Sequence, residues 1–181
     1  LISLTELPRF ASSTNPVTGE MAFLLKLPEG NTQFRVFRES DEVFYIEMAE
    51  DDRVVLEKTS LSNSGLIGGP LVFQADLNGD ETPDYVVHAW YGGCGLACGY
   101  YNVAFILSSE AGYKATVICT LFPDDGDFVR INGKPCFIHT SFHYFDKCTD
   151  GRNHNFWLYN LLALSGNELA VSNSLHKDFP K

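Results

Sequence analysis

The sequence has few positive charges and no long apolar run. It carries 13 lysine and arginine residues against 23 aspartate and glutamate residues, giving a net charge of −10. Because an acidic surface repels a phosphate backbone, we expect no nucleic-acid partner. No apolar stretch approaches the ~18–20 residues that a helix needs to span a bilayer. The most apolar stretch, residues 155–165, is too short, so the sequence predicts no membrane span.

Common catalytic and nucleotide-binding motifs are also missing from the sequence. There is no GxSxG, no P-loop, no GxGxxG and no HExxH. On a strand, His139 and His143 would lie ~13 Å apart, too far to share one metal ion. Asp124, Asp125 and Asp127 form an acidic turn without an evident base or nucleophile beside it. We therefore expect a non-enzymatic protein, and a hydrolase assembled from scattered Asp and His residues is the least supported alternative.

Alternation of apolar and polar residues is the main pattern that the chain does show. Its period is two over most of the 181 residues, and 14 Phe and eight Tyr suit pleated sheet. The predicted strands form three groups of four, at about residues 20–58, 71–119 and 127–173. This period of roughly 45–50 residues is typical of propeller blades. We predict one all-β domain, an antiparallel meander folded as propeller-like blades or as an irregular β-sandwich or barrel.

One loop in the middle group has the composition of a cation site. Residues 76–84 read Asp-Leu-Asn-Gly-Asp-Glu-Thr-Pro-Asp, with oxygen-bearing side chains at positions 1, 3, 5 and 9. Ca²⁺ takes six to eight oxygen ligands, and the backbone carbonyl at position 7 would add one more. The twelfth position holds Val87 instead of the glutamate of an EF-hand. The spacing therefore predicts calcium in a strand-flanked loop, with an ion-free acidic turn as the alternative.

This loop, followed by Tyr-Val-Val, resembles the calcium loop of FG-GAP and VCBS-type repeats, found in integrin-like propellers and secreted bacterial proteins. The resemblance covers about residues 71–119 and implies a structural Ca²⁺ and a secreted or periplasmic location. The ligands that it implies are Asp76, Asn78, Asp80, the backbone carbonyl of Thr82, and Asp84. Glu81 stands where the family usually has glycine. If this position has positive φ, Glu81 costs ~1–2 kcal/mol, and Glu81→Gly should tighten calcium binding.

The cysteines and the first residues bear on the compartment. All five cysteines lie in the second half of the chain, and an oxidising compartment would give two disulfides and one free thiol. In an up-and-down meander Cys94, Cys98, Cys119 and Cys148 share one edge, and Cys136 lies at the other. We expect the first four to pair, in an order that stays open, and Cys136 to be unpaired. Five buried thiols or a zinc site are the alternatives.

The start of the sequence has neither a basic n-region nor an apolar h-region. Its first residue is Leu1 and not methionine. We therefore expect either that a signal peptide has been removed or that the sequence has been trimmed. Removal of a signal peptide agrees with the secreted or periplasmic location that the calcium loop implies.

Aromatic residues bracket the glycine-rich stretch 92–99. They are Trp90, Tyr91, Tyr100 and Tyr101. Exposed, these rings could stack on a sugar or anchor a protein partner; buried, they would be cross-strand pairs. Phe142, Tyr144 and Phe145 repeat the arrangement before Cys148. The sequence thus predicts a calcium-stabilised, secreted or periplasmic module that binds another protein, of the inhibitor, immunity or adhesion type, with a carbohydrate-binding module as the alternative.

Overall fold

The structure, a computed structural model, describes residues 1–14, 21–28, 30–39, 43–62, 66–92, 99–166 and 168–179. These ranges contain β-strands, two short 3-10 turns at Asp125–Asp127 and Asn173–Leu175, and no α-helix. Within them, no helix is long and apolar enough to cross a membrane. The strands are β1 (Thr5–Glu6), β2 (Ala11–Thr14), β3 (Met21–Lys26), β4 (Gln33–Arg38), β5 (Phe44–Glu50), β6 (Arg53–Ser62), β7 (Leu71–Ala75), β8 (Asp84–Gly92), β9 (Tyr100–Leu107), β10 (Lys114–Leu121), β11 (Phe128–Ile131), β12 (Lys134–Lys147), β13 (Asn153–Ser165) and β14 (Glu168–Val171).

The strands form three antiparallel sheets that follow the chain in order. An N-terminal sheet has the order β2-β3-β4-β5-β6, a central sheet β1-β7-β8-β9-β10, and a C-terminal sheet β11-β12-β13-β14. The predicted all-β class is therefore confirmed, as are its three antiparallel groups of four strands. Each of the first two sheets gains one short edge strand that was not predicted. Among the described residues the three sheets do not join into a closed barrel, so the arrangement agrees with a β-sandwich or with blades.

The central sheet lies between the other two. Tyr85, Val87 and Ala89 on one face of β8 pack into a core shared with the N-terminal sheet. Val86, on the opposite face of β8, belongs to a second core shared with the C-terminal sheet. Successive residues of a strand point to opposite faces, so a strand covered on both sides needs apolar residues in succession. The run Tyr85-Val86-Val87 meets this requirement.

Aromatic rings join the layers. Phe34 of β4 meets Tyr85 edge-to-face, with ring centroids 4.9 Å apart. On the other side of the central sheet, Phe105 of β9 meets Phe137 of β12 at 5.2 Å. Pairs of this geometry contribute about 0.5–1.5 kcal/mol each beyond the area that they bury. The two contacts link the central sheet to both of its neighbours.

Candidate functional site

The acidic loop predicted to bind calcium joins β7 to β8. Ala75 pairs with Asp84, so the residues between them form the end of a β-hairpin. Leu77 is fully buried in the core between the central and C-terminal sheets. This apolar anchor holds the first half of the loop against the protein. Asp76 and Asp80, the residues on either side of the anchored stretch, stay exposed.

Asp84 is the buried centre of the loop. Its Oδ2 accepts the backbone N–H groups of Leu77 at 2.7 Å and Asn78 at 3.1 Å. Its Oδ1 accepts the N–H of Ser108 at 2.7 Å and the hydroxyl of Ser108 at 2.8 Å. Burial raises the pKa of the Asp84 carboxyl, and these hydrogen bonds oppose the rise. A carboxylate has about four acceptor positions, so Asp84 is fully used in holding the loop.

The exposed ligand candidates fold the loop through side-chain-to-backbone hydrogen bonds. Asp76 accepts the N–H of Gly79 at 2.6 Å, and Asn78 accepts the N–H of Asp80 at 3.0 Å. Asp80 accepts the N–H of Thr82 at 2.8 Å, and this bond lowers the pKa of the Asp80 carboxyl. Short polar side chains that accept from the backbone two or three residues ahead are typical of tight turns. Asp76 and Asp80 keep acceptor positions beyond those that the turn uses.

Ser108, at the end of β9, is a loop partner that the sequence analysis missed. Its hydroxyl lies 3.0 Å from Asp80 Oδ2 and 2.8 Å from Asp84 Oδ1. A hydroxyl has one hydrogen, so it cannot donate to both carboxylates at once. None of the ion pairs among the described residues includes an acidic residue of this loop. The local excess of negative charge is therefore left without a protein cation among them.

The loop side chains differ in how many oxygen atoms they keep available for a calcium ion. Asp76, Asn78 and Asp80 supply the hard oxygen atoms that Ca²⁺ prefers. Both carboxylate oxygens of Asp84, by contrast, already accept hydrogen bonds from N–H and O–H donors. In the part of the chain that the structure describes, no three His, Cys, Asp or Glu residues are grouped as metal ligands. The calcium site stays a prediction, with Asp84 better suited to support the loop than to coordinate.

The backbone at Glu81 lies in the left-handed region, the condition under which a non-glycine residue is strained. Glu81 has φ +66° and Gly79 has φ +85°, both in the left-handed region. A side chain other than glycine costs ~1–2 kcal/mol in that region. The Glu81 N–H still donates to Asp76 Oδ2 at 3.3 Å. Glu81 therefore meets the condition for backbone strain that the sequence analysis set out.

Relief of this strain gives a testable prediction. We expect Glu81→Gly to raise the free energy of unfolding by about 0.5–1 kcal/mol, because the relieved strain is partly offset by the added entropy of the unfolded chain. Urea denaturation measures the gain, and calorimetric titration measures whether calcium binding tightens as well. Gly79→Ala is the matched opposite change: a Cβ there meets nothing within 4 Å, so any loss reflects φ alone. A Glu81→Gly protein no more stable than the parent would contradict the strain.

The predicted aromatic edge divides into two pairs on opposite faces of the central sheet. The rings of Trp90 and Tyr101 stack with centroids 6.5 Å apart, and those of Tyr91 and Tyr100 stack at 6.1 Å. Adjacent residues on a strand point to opposite faces, which accounts for the division. Trp90 is the exposed member, and the three tyrosines are partly buried. The four residues therefore do not form one continuous surface.

A larger exposed aromatic group lies on the hairpin of β12 and β13. We call it the ribbon cluster; its members are Tyr144, Phe145, Trp157 and Tyr159, exposed by 71%, 61%, 40% and 50%. Trp157 also packs on Phe142 at 5.1 Å. A register shift between His143 and Asp146 marks a β-bulge at the first two members, and Phe145 has φ +60°. Bulges redirect side chains in this way.

Three of the cysteines are free thiols, and two lie outside the described residues. The free thiols are Cys119, Cys136 and Cys148, and Cys94 and Cys98 fall in the undescribed stretch 93–98. Cys119 Sγ lies 3.0 Å from the hydroxyl of Tyr91. Cys136 is buried, which raises the pKa of its thiol. The predicted pairing of four cysteines stays a prediction.

The histidines on β12 and β13 each have a separate partner. His139 Nε2 lies 2.8 Å from the carbonyl oxygen of Cys119, which ties β12 to β10. His143 pairs with Asp146 at 2.6 Å. His154 pairs with Asp150 at 2.8 Å. These contacts use one ring nitrogen of each histidine in a local hydrogen bond.

The acidic turn before β11 is exposed at Asp124 and Asp125 and partly buried at Asp127. Asp124 caps the turn: its Oδ1 accepts the N–H of Gly126 at 2.6 Å, and its own N–H donates to Asp127 Oδ2 at 3.0 Å. Burial raises the pKa of Asp127 to about 6, against the effect of that hydrogen bond. The ionised carboxylate of Asp127 therefore opposes folding at neutral pH.

A pH-dependent stability follows from Asp127. The pKa of Asp127 is higher in the folded state than in the unfolded state. Its contribution to the free energy of unfolding is therefore fully present at pH below ~4 and is lost as the pH rises to about 6. We expect Asp127→Asn to gain about 1–3 kcal/mol at pH 7 and little at pH 4, because the amide keeps an acceptor for Asp124. Urea denaturation at both pH values measures this difference. Asp125→Asn, an exposed change in the same turn, is the control, and an equal gain there would point to general charge repulsion.

Comparison with known proteins finds no match: no family model, no curated protein and no solved structure matches the chain.

Proposed function

We propose that this chain is a non-enzymatic, calcium-stabilised binding module that recognises another protein outside the cytoplasm. The observation that carries the proposal is the ribbon cluster, in which four large aromatic side chains are exposed on one hairpin. Aromatic residues are enriched in protein interfaces, where a few of them provide most of the binding energy. The absence of catalytic motifs from the sequence supports a binding role over an enzymatic one.

The ribbon cluster lies where two strands extend beyond their sheet. β11 pairs with β12 only as far as Phe137, and β14 pairs with β13 only from Leu162. The remaining parts of β12 and β13 pair with each other as a two-stranded ribbon. Trp157 and Tyr159 are two residues apart, so they share one face of this ribbon. A projecting ribbon with exposed rings presents a surface that a partner can reach.

Calcium would support the module by holding the loop between β7 and β8. Asp76 and Asp80 would supply oxygens from exposed positions and Asn78 from a partly buried one, and Asp84 would keep the loop in place. Ser108 joins this loop to the end of β9, so an ion there would brace the hairpin end of the central sheet. Its expected role is structural.

The proposed location outside the cytoplasm rests on the resemblance of the loop and on the number of cysteines. Peptide mapping of unreduced protein tests it. Two disulfides among Cys94, Cys98, Cys119 and Cys148, with Cys136 alone alkylated, would support an oxidising compartment. Alkylation of all five cysteines would support a reducing one.

A carbohydrate-binding module is the second candidate, favoured by Trp157 and Tyr159. Two neighbouring rings on one face of the ribbon could stack on sugar rings as well as on a protein. A glycan array separates the two functions. Binding to a defined glycan that Trp157→Ser removes would favour the carbohydrate function over the protein one.

The test of the protein-binding function compares variants in affinity capture from the native organism. We expect wild-type protein to retain a partner that the double variant Trp157→Ser, Tyr159→Ser does not retain. Val54→Ser, which removes an exposed apolar side chain from the N-terminal sheet, is the matched control. With the purified partner, calorimetry should show a loss of about 30-fold or more for the double variant, the size of a hot spot. Equal binding by all three proteins would contradict the proposed surface.

A further inference from the structure

A depression on the central sheet combines a buried imidazole with an acidic rim. Its volume is about 490 Å³, and its walls include Glu6 of β1, Phe73 of β7, His88 of β8 and Tyr101 of β9. Asp124 and Asp125, from the connection between β10 and β11, complete the rim. None of these residues belongs to the calcium loop or to the ribbon cluster.

His88 is the unusual member of this site. It is only 5% exposed and is surrounded by aromatic rings: Phe73 at 4.8 Å, Tyr101 at 6.2 Å and Phe128 at 6.5 Å between centroids. Its Nε2 is buried and has no hydrogen-bond partner among the described residues. Burial lowers the pKa of His88 to about 4, so the imidazole is neutral at pH 7. The wall of the depression thus includes a neutral imidazole whose Nε2 is paired with no described residue.

An unpaired buried nitrogen has a cost that an apolar residue would avoid. A buried polar group without a partner loses about 1–3 kcal/mol of hydration, and most such groups are paired with protein or water. A water molecule takes about 30 Å³ of liquid, so the depression, at about 490 Å³, exceeds the volume of one water by roughly sixteenfold. It is large enough for a side-chain-sized group.

The rim of the depression carries the charge that such a group would meet. Glu6, Asp124 and Asp125 are exposed carboxylates. None of the ion pairs formed by the described residues uses them. Phe73 and Tyr101 add aromatic faces, which attract cations and apolar stems. The rim charge and the aromatic walls therefore favour a cation with an apolar part. His88 Nε2 offers this cation one acceptor for an N–H group.

We propose that this depression binds a primary ammonium or guanidinium group carried on an apolar stem. In the tautomer with hydrogen on Nδ1, His88 Nε2 accepts an N–H of the cation, and the rim carboxylates balance its charge. The stem lies against Phe73 and Tyr101. A free amine and a lysine or arginine side chain of a partner share this chemistry. A quaternary ammonium lacks the N–H, and a neutral alcohol lacks the charge.

The experiment titrates full-length protein, labelled with ¹⁵N at histidine, and follows the His88 ring nitrogens by NMR. We expect n-butylammonium and the peptide acetyl-Ala-Arg-Ala-amide to shift the Nε2 resonance saturably, and tetramethylammonium and 1-butanol to leave it unchanged. Tighter binding of the peptide would identify a protein side chain as the source, and tighter binding of the free amine a small molecule. No shift with either cation, or equal shifts with all four probes, would overturn the proposal.

Variants separate the site from general surface effects. His88→Phe keeps an aromatic ring at this position and removes the ring nitrogens. It should weaken binding of the cation about tenfold or more. The Tyr101 ring resonances follow binding in this variant. Glu6→Gln combined with Asp125→Asn should weaken binding about tenfold and reduce its dependence on salt, because both changes remove rim charge. The double variant also carries the test if His88→Phe fails to fold. Unchanged affinity in the double variant would overturn the assignment of the rim.

Discussion

Replacing Asp84 by alanine is expected to lower the free energy of unfolding by about 3–5 kcal/mol, with or without calcium. The carboxylate is buried and accepts the N–H groups of Leu77, Asn78 and Ser108. Without it, these donors lose their acceptor in a place that water does not reach, and each unpaired buried donor costs about 1–3 kcal/mol. The hairpin end of the central sheet should then loosen.

Urea denaturation in EDTA measures this loss, and a second loop variant controls for it. Asp76→Ala removes an exposed carboxylate from the same loop and should cost about 1 kcal/mol. Asp84→Asn keeps one acceptor oxygen and should lose about half as much as Asp84→Ala. Equal losses for Asp84→Ala and Asp76→Ala would show that Asp84 does not hold the loop together.

The strands of this fold could be predicted because their signal is local. Alternation of apolar and polar residues is visible within each strand, and turn residues such as Asn132-Gly133 mark the ends. β1 and β2 were missed because strands of two and four residues are too short to show a period. The stacking order of the sheets depends on which faces meet across the whole chain. Periodicity within single strands does not specify it.

The candidate site was predictable only in part, for a similar reason. The spacing of Asp76, Asn78 and Asp80 is local and identified the loop. Asp84 was predicted as a ligand, whereas its contacts give it the role of a buried support. Two of its four hydrogen bonds come from Leu77 and Asn78 in the loop, and the other two come from Ser108, which lies 24 residues further along the chain. The pairing of β8 with β9 brings Ser108 close, so no local motif could have indicated it.

The aromatic surfaces show which inferences the sequence did allow. The division of Trp90 and Tyr101 from Tyr91 and Tyr100 follows from strand alternation alone and could have been predicted. The exposure of Trp157 could not, because it depends on β11 and β14 ending before the ribbon does. No sequence motif marks His88. Its unpaired Nε2 depends on aromatic neighbours from three other strands.

Calcium is expected to raise the melting temperature by about 5–10 °C when present at a hundredfold excess over its Kd. Binding to the folded state at that excess contributes about 2.7 kcal/mol, and 1 kcal/mol corresponds to about 2–4 °C for a chain of this size. Magnesium should do far less, because it prefers an octahedral site and keeps its water molecules. Differential scanning calorimetry of EDTA-treated protein, with each ion added back, measures both effects.

Asp80→Ala is expected to abolish the calcium-dependent part of this shift. The same change removes hydrogen bonds to Thr82 and Ser108, so the variant should also melt lower in EDTA. Only the difference between the calcium and EDTA curves therefore reports on the ion. Glu57→Ala removes one exposed negative charge from β6 and should keep the full difference. If wild-type protein melts identically with and without calcium, the loop is an ion-free acidic turn, held by its own hydrogen bonds and by those of Asp84 and Ser108.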